Sequence, residues 1–109
     1  MPTVAEIFEA IPTAFNPNAA AGLNKTIQWN VTGEQASVCA FRIHDGVCES
    51  IPGGVDKPDV TFTISDQDFI ALIEGKLDAQ NAFFSGKLKL AGDMGLALRV
   101  PQLFPTQRS

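Results

Sequence analysis

Ala82-Phe83-Phe84-Ser85-Gly86-Lys87-Leu88-Lys89-Leu90-Ala91-Gly92-Asp93-Met94-Gly95-Leu96-Ala97-Leu98-Arg99 carries the decisive pattern of this chain. Leu88 and Leu90 alternate with Lys87 and Lys89, the period of a half-buried strand. The alternation stops at Gly92, and Asp93 is placed to cap a helix. On that helix Met94, Ala97, Leu98 and Pro101 form one series at i, i+3, i+4 and i+7. Leu96, Val100, Leu103 and Phe104 form a second stripe rotated from the first. A helix apolar on more than one face has more than one face to bury. With 109 residues in all, little chain remains to cover the second, so a partner or a bound apolar molecule is the expected cover. Phe83 and Phe84 diverge by about 100° on a helix and cannot share one narrow face.

Upstream, Thr3-Val4-Ala5-Glu6 fits a capping box, followed by Val4, Ile7, Phe8 and Ile11 at helical spacing. Pro12 is expected to end the regular helix, and Pro17 to open a helical turn through Ala19–Ala21. Ile27, Trp29 and Val31 alternate with Thr26, Gln28 and Asn30, a first strand. Cys39, Phe41 and Ile43 form one face of a second. Asp45-Gly46 is a two-residue hairpin turn leading to a third strand, Val47–Ile51. Val60, Phe62 and Ile64 mark a fourth. Ser65 with Asp68 opens a helix ending at Gly75. Asp78 opens a short one through Phe84. Pro101 is expected to bend or terminate the last helix.

The polar faces of strands one, four and five argue against a doubly wound sheet, which is apolar on both sides. The expected fold is α+β: a five-stranded, mostly antiparallel sheet, covered on one face by helices and open to water on the other. Residues 1–109 fit a single domain. Apolar residues make up 45% and charged residues 18%, a globular composition. Eight Phe against one Trp and no Tyr suit an interior whose contents offer no hydrogen bonds, although Phe is also ordinary core filler.

The net charge of −4 argues against nucleic acid as a partner. Residues 1–75 hold ten acids and three bases, whereas residues 76–109 hold two acids and five bases. Lys76, Lys87, Lys89, Arg99 and Arg108 fit either a solvated surface or a weakly basic patch. No run reaches the ~18 apolar residues of a membrane span. The N-terminus lacks a signal-peptide pattern, so a cytoplasmic protein is expected.

Catalytic chemistry is poorly supplied. His44 is the sole histidine, expected at an exposed strand end with Asp45 merely its sequence neighbour, and a general base needs an orienting partner. With Asp45-Gly46 as the turn, Ile43 faces Cys48, and Cys39 lies roughly 13 Å further along its strand. A disulfide needs Cα atoms within about 7 Å, so two buried thiols are expected. Two cysteines alone make no zinc site. No metal and no cofactor is expected. Gly92-Asp93-Met94-Gly95 reads as a cap, because the Asp93 carboxylate occupies the place a phosphate would take.

Three blocks, Asp68-Phe69-Ile70-Ala71-Leu72-Ile73-Glu74-Gly75-Lys76, Ala82-Phe83-Phe84-x-Gly86-Lys87-Leu88-Lys89 and Gly92-Asp93-Met94-Gly95-Leu96-Ala97, resemble the sterol carrier protein type 2 domain. They occur in that domain's order and at its distances, most tightly over residues 58–104. The resemblance implies a hydrophobic tunnel between sheet and helices, partly closed by the C-terminal helix. It also implies binding of sterols, fatty acids, fatty acyl-CoA or phospholipids without chemical turnover. By this likeness Phe69, Leu72, Ile73, Phe83, Phe84, Leu88, Met94, Leu96 and Leu98 wall the tunnel; strand alternation adds Trp29 and Phe62. Lys87, Lys89 or Arg99 are candidates to meet a headgroup at the mouth. The chain departs from the eukaryotic pattern in a short N-terminal helical region, expected to leave one tunnel mouth wider, and in Asp93 where the family commonly has Asn, a change either side chain tolerates as an N-cap. It also departs in a C-terminus without a peroxisomal address, which suits a free-standing prokaryotic form. Partners expected are a lipid or fatty acyl ligand, a transient membrane surface contact and a second copy of the chain. The alternative function is an interaction or dimerisation module using the same apolar surface.

Overall fold

The computed structural model describes residues 3–104. Helix α1 spans Val4–Ala10, with the capping box in place: the Glu6 N–H donates to Thr3 Oγ1 at 3.1 Å and the Thr3 N–H to Glu6 Oε1 at 2.8 Å. Pro12 stops the α-helix, and the chain tightens into a 3₁₀ turn, Ile11–Ala14. Residues 17–23 form successive turns, closed by Ala20 N–H to the Pro17 carbonyl at 3.2 Å and Leu23 N–H to the Ala20 carbonyl at 2.9 Å. They do not join into the helical turn expected there.

Five strands follow, β1 (Lys25–Thr32), β2 (Ser37–His44), β3 (Val47–Pro52), β4 (Val60–Ser65) and β5 (Leu88–Gly92), in spatial order β3-β2-β1-β4-β5. All neighbours are antiparallel except β1 and β4, which run parallel. The register aligns one apolar row across the sheet, because side chains two residues apart share a face. Trp29 pairs with Cys39 on one side and Phe62 on the other, and Phe62 pairs with Leu90. Ile43 pairs with Cys48 and Cys39 with Pro52. The two thiols are therefore offset along the hairpin, and both are free.

The helices α2 (Asp66–Ile73), α3 (Ala79–Phe84) and α4 (Met94–Leu103) are capped by Ser65, Asp78 and Asp93. Gly92 stands at the corner between β5 and α4 with φ +111°; a Cβ there would collide with the Asp59 carbonyl. That same carbonyl accepts the Asp93 N–H at 2.8 Å, so only a glycine lets the two chains approach this closely. Helix α4 passes through Pro101 and ends at Leu103. Proline removes only the donor to the Ala97 carbonyl, and the Phe104 N–H still reaches the Val100 carbonyl at 2.9 Å. Pro101 therefore does not terminate the helix.

The second face of the sheet is not wholly open. Ala40 is completely buried on it, because residues 53–55 fold over β1 and β2. The Gly53 N–H donates to the Val38 carbonyl at 2.9 Å and the Val55 N–H to Gln28 Oε1 at 2.8 Å. Beyond the C-terminal ends of β1 and β4, buried Asp66 ties three elements together. It accepts the Gln35 N–H at 3.0 Å and the Gln67 N–H at 2.8 Å, while Gln35 Oε1 accepts the Val4 N–H at 2.9 Å.

Candidate functional site

Between sheet and helices lies one apolar cluster built from every main element. Its centre is aromatic. Trp29 stacks on Phe62, ring centroids 4.5 Å apart at 22°, and meets Phe69 of α2 at 5.1 Å. Phe69 contacts Phe8 of α1 at 5.5 Å, Phe8 contacts Phe41 at 5.9 Å, and Phe41 reaches Phe104 at 6.5 Å. Phe104 in turn meets Phe15 at 5.6 Å. The rings thus form a continuous chain of seven across the interior. Offset and tilted contacts of this kind are favourable beyond the area they bury.

Of the residues that the sequence singles out, Trp29, Phe62, Phe69, Leu88 and Leu96 are buried in this cluster, and Leu72 and Ile73 are half-buried against it. Phe83, Phe84, Met94 and Leu98 are placed elsewhere, retaining 41%, 76%, 50% and 72% of their surface in water. A six-residue helix offers few inward positions: α3 turns Ala82 to the interior, which leaves Phe83 and Phe84 outside. On α4 the buried stripe is the one holding Leu96 and Leu103, and of the other stripe Ala97 packs against the core while Met94 and Leu98 face out. Phe8, Phe41, Phe15 and Phe104 belong to the ring chain without having been singled out. The helical spacing of Val4, Ile7 and Phe8 and the alternation of β2 were the available signals for the first two.

Polar chemistry is peripheral to this cluster. Arg99 Nη2 donates to the Ala19 carbonyl at 2.8 Å, and the Asn16 N–H donates to the Leu103 carbonyl at 2.8 Å. Together with the Lys25–Asp93 pair at 3.6 Å, these contacts tie α4 along the segment that precedes β1. Arg99 is therefore engaged. Lys87 and Lys89 are exposed, without an ion pair among the described residues. His44 is only half-buried. Its Nδ1 lies 3.4 Å from Asp45 Oδ2 and its Nε2 lies 3.6 Å from Glu49 Oε1, so its carboxylate neighbours include one across the hairpin. With Arg42, Asp45, Gly46 and residues 22–24 it lines a polar depression of about 370 Å³ that contains none of the singled-out apolar residues.

Burial pushes the Cys48 thiol up to about 12, with the nearby Cys39 adding to the effect, and burial raises Cys39 as well. Both remain protonated and poorly nucleophilic near neutral pH. Among the described residues no group of three His, Cys, Asp or Glu side chains could hold a metal ion, and no helix is long and apolar enough to cross a membrane.

An aromatic interior between a five-stranded sheet and helices, with residues 5–105 matching the SCP-2 sterol transfer family, decides the kinship. The chain belongs to the SCP-2 sterol transfer family. Human sterol carrier protein 2 is 44% identical over 71 residues, which are 65% of this chain but 13% of that protein. The chain thus corresponds to a small fraction of the length of such relatives. The solution structure of sterol carrier protein domain 2 of Helicoverpa armigera is 35% identical, with a TM-score of 0.73 over 92% of this chain and 84% of that one. The palmitated SCP2L2 of Aedes aegypti, 24% identical, shares the fold with a TM-score of 0.77 over 99% of each chain. The five-stranded α+β architecture is thus that of the family.

Proposed function

We propose that residues 1–109 act as a lipid carrier, taking up a long-chain fatty acyl or similarly apolar molecule and releasing it without chemical turnover. The observation that carries this reading is the convergence of Trp29, Phe62, Phe69, Leu88 and Leu96 in one apolar layer between sheet and helices, in a chain of the SCP-2 family. The palmitate carried by the Aedes aegypti relative supports the acyl class. In this reading Leu72 and Ile73, half-buried at the edge of that layer, complete the lining.

The driving force is release of apolar surface from water. Burying roughly 300 Å² of ligand yields about 7 kcal/mol at ~25 cal/mol per Å². That corresponds to dissociation constants in the micromolar range before ordering costs. Binding of this strength is exchangeable, as a carrier needs. The ring chain separates to admit the guest, and Trp29, the single tryptophan, reports the event through its fluorescence.

The test is titration of the protein with palmitate, followed at Trp29, in the wild type and in Leu96→Asp. A charge placed in the apolar layer is expected to weaken binding at least tenfold while circular dichroism shows the fold retained. A folded Leu96→Asp protein that binds palmitate as tightly as the wild type would place the ligand elsewhere.

A further inference from the structure

A guest can reach the apolar layer only if one of its covers moves, and the covers are unequally fastened. Helix α1 buries Val4, Ile7 and Phe8, and α2 buries Phe69 and Ile70. Between Ala14 and Lys25 the chain forms neither α-helix nor strand. Ala20 of this segment is completely buried, while Phe15, Ala19 and Leu23 are only half-buried against the core. A stretch that buries so little opens more readily than the elements around it.

Its fastenings are few, and they converge on one helix. The Asn16 N–H donates to the Leu103 carbonyl and Arg99 Nη2 to the Ala19 carbonyl, each at 2.8 Å. Among the described residues these are the hydrogen bonds that join residues 15–24 to the rest of the chain, and both partners lie on α4. The other bonds of the segment are internal. The Asn18 N–H meets Asn16 Oδ1 at 3.1 Å, and turns close at Ala20 and Leu23. The segment is therefore able to move as a unit.

Its downstream end is anchored separately. Asp59 Oδ2 accepts the Thr26 N–H at 2.7 Å, and the Asp59 N–H donates to the Thr26 carbonyl at 2.9 Å. Just upstream, Gly22 has φ +75°, and no heavy atom lies within 4 Å of the position a Cβ would take. The backbone has room to turn there with no side chain to carry. What the segment covers is the end of the ring chain, where Phe15 meets Phe104 at 5.6 Å and Phe104 meets Phe41 at 6.5 Å. Helix α3 also buries little, but among the described residues its two rings meet only each other.

We propose that residues 15–24 form a strap that opens to pass the guest, with Arg99 as its latch. Arg99 is a positioning residue in this role, acting on the guest only through the Ala19 carbonyl. It governs the rate of exchange and not the affinity, because the latch is closed both before and after the guest is in place. The proposal rests on the carrier reading for its purpose, and its test separates the two.

Two variants loosen the strap from opposite sides. Arg99→Met keeps the stem and removes the donor, whereas Gly22→Ala strains the closed backbone at a positive φ. In each, hydrogen exchange measured by NMR without ligand is expected to run about fivefold faster at the Asn16, Ala20 and Leu23 amides, with β1 and β4 unchanged. Stopped-flow uptake and release of palmitate, read at Trp29, are expected to accelerate by the same factor, with the dissociation constant within twofold of wild type. Faster exchange throughout β1 and β4 would mark general loosening and overturn the proposal. So would a faster strap with unchanged uptake and release, which would send the guest in by another route. Failure of the carrier reading looks different: no palmitate binds to the wild type or either variant, while the strap amides still respond to Arg99→Met, which leaves the latch standing.

Discussion

Cys48 shows how one side chain reports on the interior. It lies on β3 opposite Ile43, where burial and the neighbouring Cys39 lift its thiol to about 12, against about 8.5 in an unfolded chain. Between those values the unfolded chain gives up a proton that the folded one keeps. Stability from this group is therefore complete below about pH 8.5 and falls as pH rises toward 12. Thermal melts across that range are expected to show a steeper loss for the wild type than for Cys48→Ala. The neutral-pH counterpart is slow reaction of both thiols with a disulfide reagent until the protein is denatured. The sequence alone placed these thiols apart, since a two-residue turn at Asp45-Gly46 fixes the register of everything behind it. It could not show that Glu49 lies beside His44, because both side chains had to be oriented across the hairpin first.

At the scale of elements, the caps were the most legible features and the far surfaces the least. Thr3, Ser65, Asp78 and Asp93 each accept the backbone N–H three residues on, as their spacing predicts. These are local contacts that need no knowledge of the rest of the chain. Asp93 also pairs with Lys25 at 3.6 Å, but both side chains are well exposed and the pair adds little. Asp93→Asn, which keeps the accepting oxygen, is expected to melt within a few tenths of a kcal/mol of wild type, and Asp93→Ala about 1 kcal/mol lower, by urea denaturation. Periodicity also identified both stripes of α4, but not which of them turns inward. That choice depends on the path of residues 15–25, whose Asn16 and Ala19 hold the helix through Leu103 and Arg99. Phe83 and Phe84 were ambiguous for the same reason: a motif specifies neighbours in sequence, while exposure depends on what packs over them. The parallel pairing of β1 with β4 was equally hidden, since side-chain alternation is the same in either direction.

For the molecule as a whole, the proposed carrier role encloses the ligand between sheet and helices, where it would bind the folded chain alone and link binding to stability. At a hundredfold excess of palmitate over its dissociation constant the folded state is then expected to gain about 2.7 kcal/mol. In a domain of this size that raises the melting temperature by roughly 10 °C or more, which calorimetry with and without palmitate will measure. No rise under saturating palmitate would count against an enclosed site. The order of the sheet also bears on how the chain assembles. Strands β1, β2 and β3 are joined by short turns, and β4 reaches β5 through two helices, so each group forms from neighbouring sequence. The pairing of Ile27 with Val60 and of Val31 with Ile64 joins the two groups at the middle of the sheet, across a separation of thirty-three residues. Contacts of that range are slow to form because a long loop must close first. During synthesis, Trp29 waits without its stacking partner until Phe62 has left the ribosome, and for that interval the apolar face of an otherwise complete hairpin is exposed to whatever else is nearby.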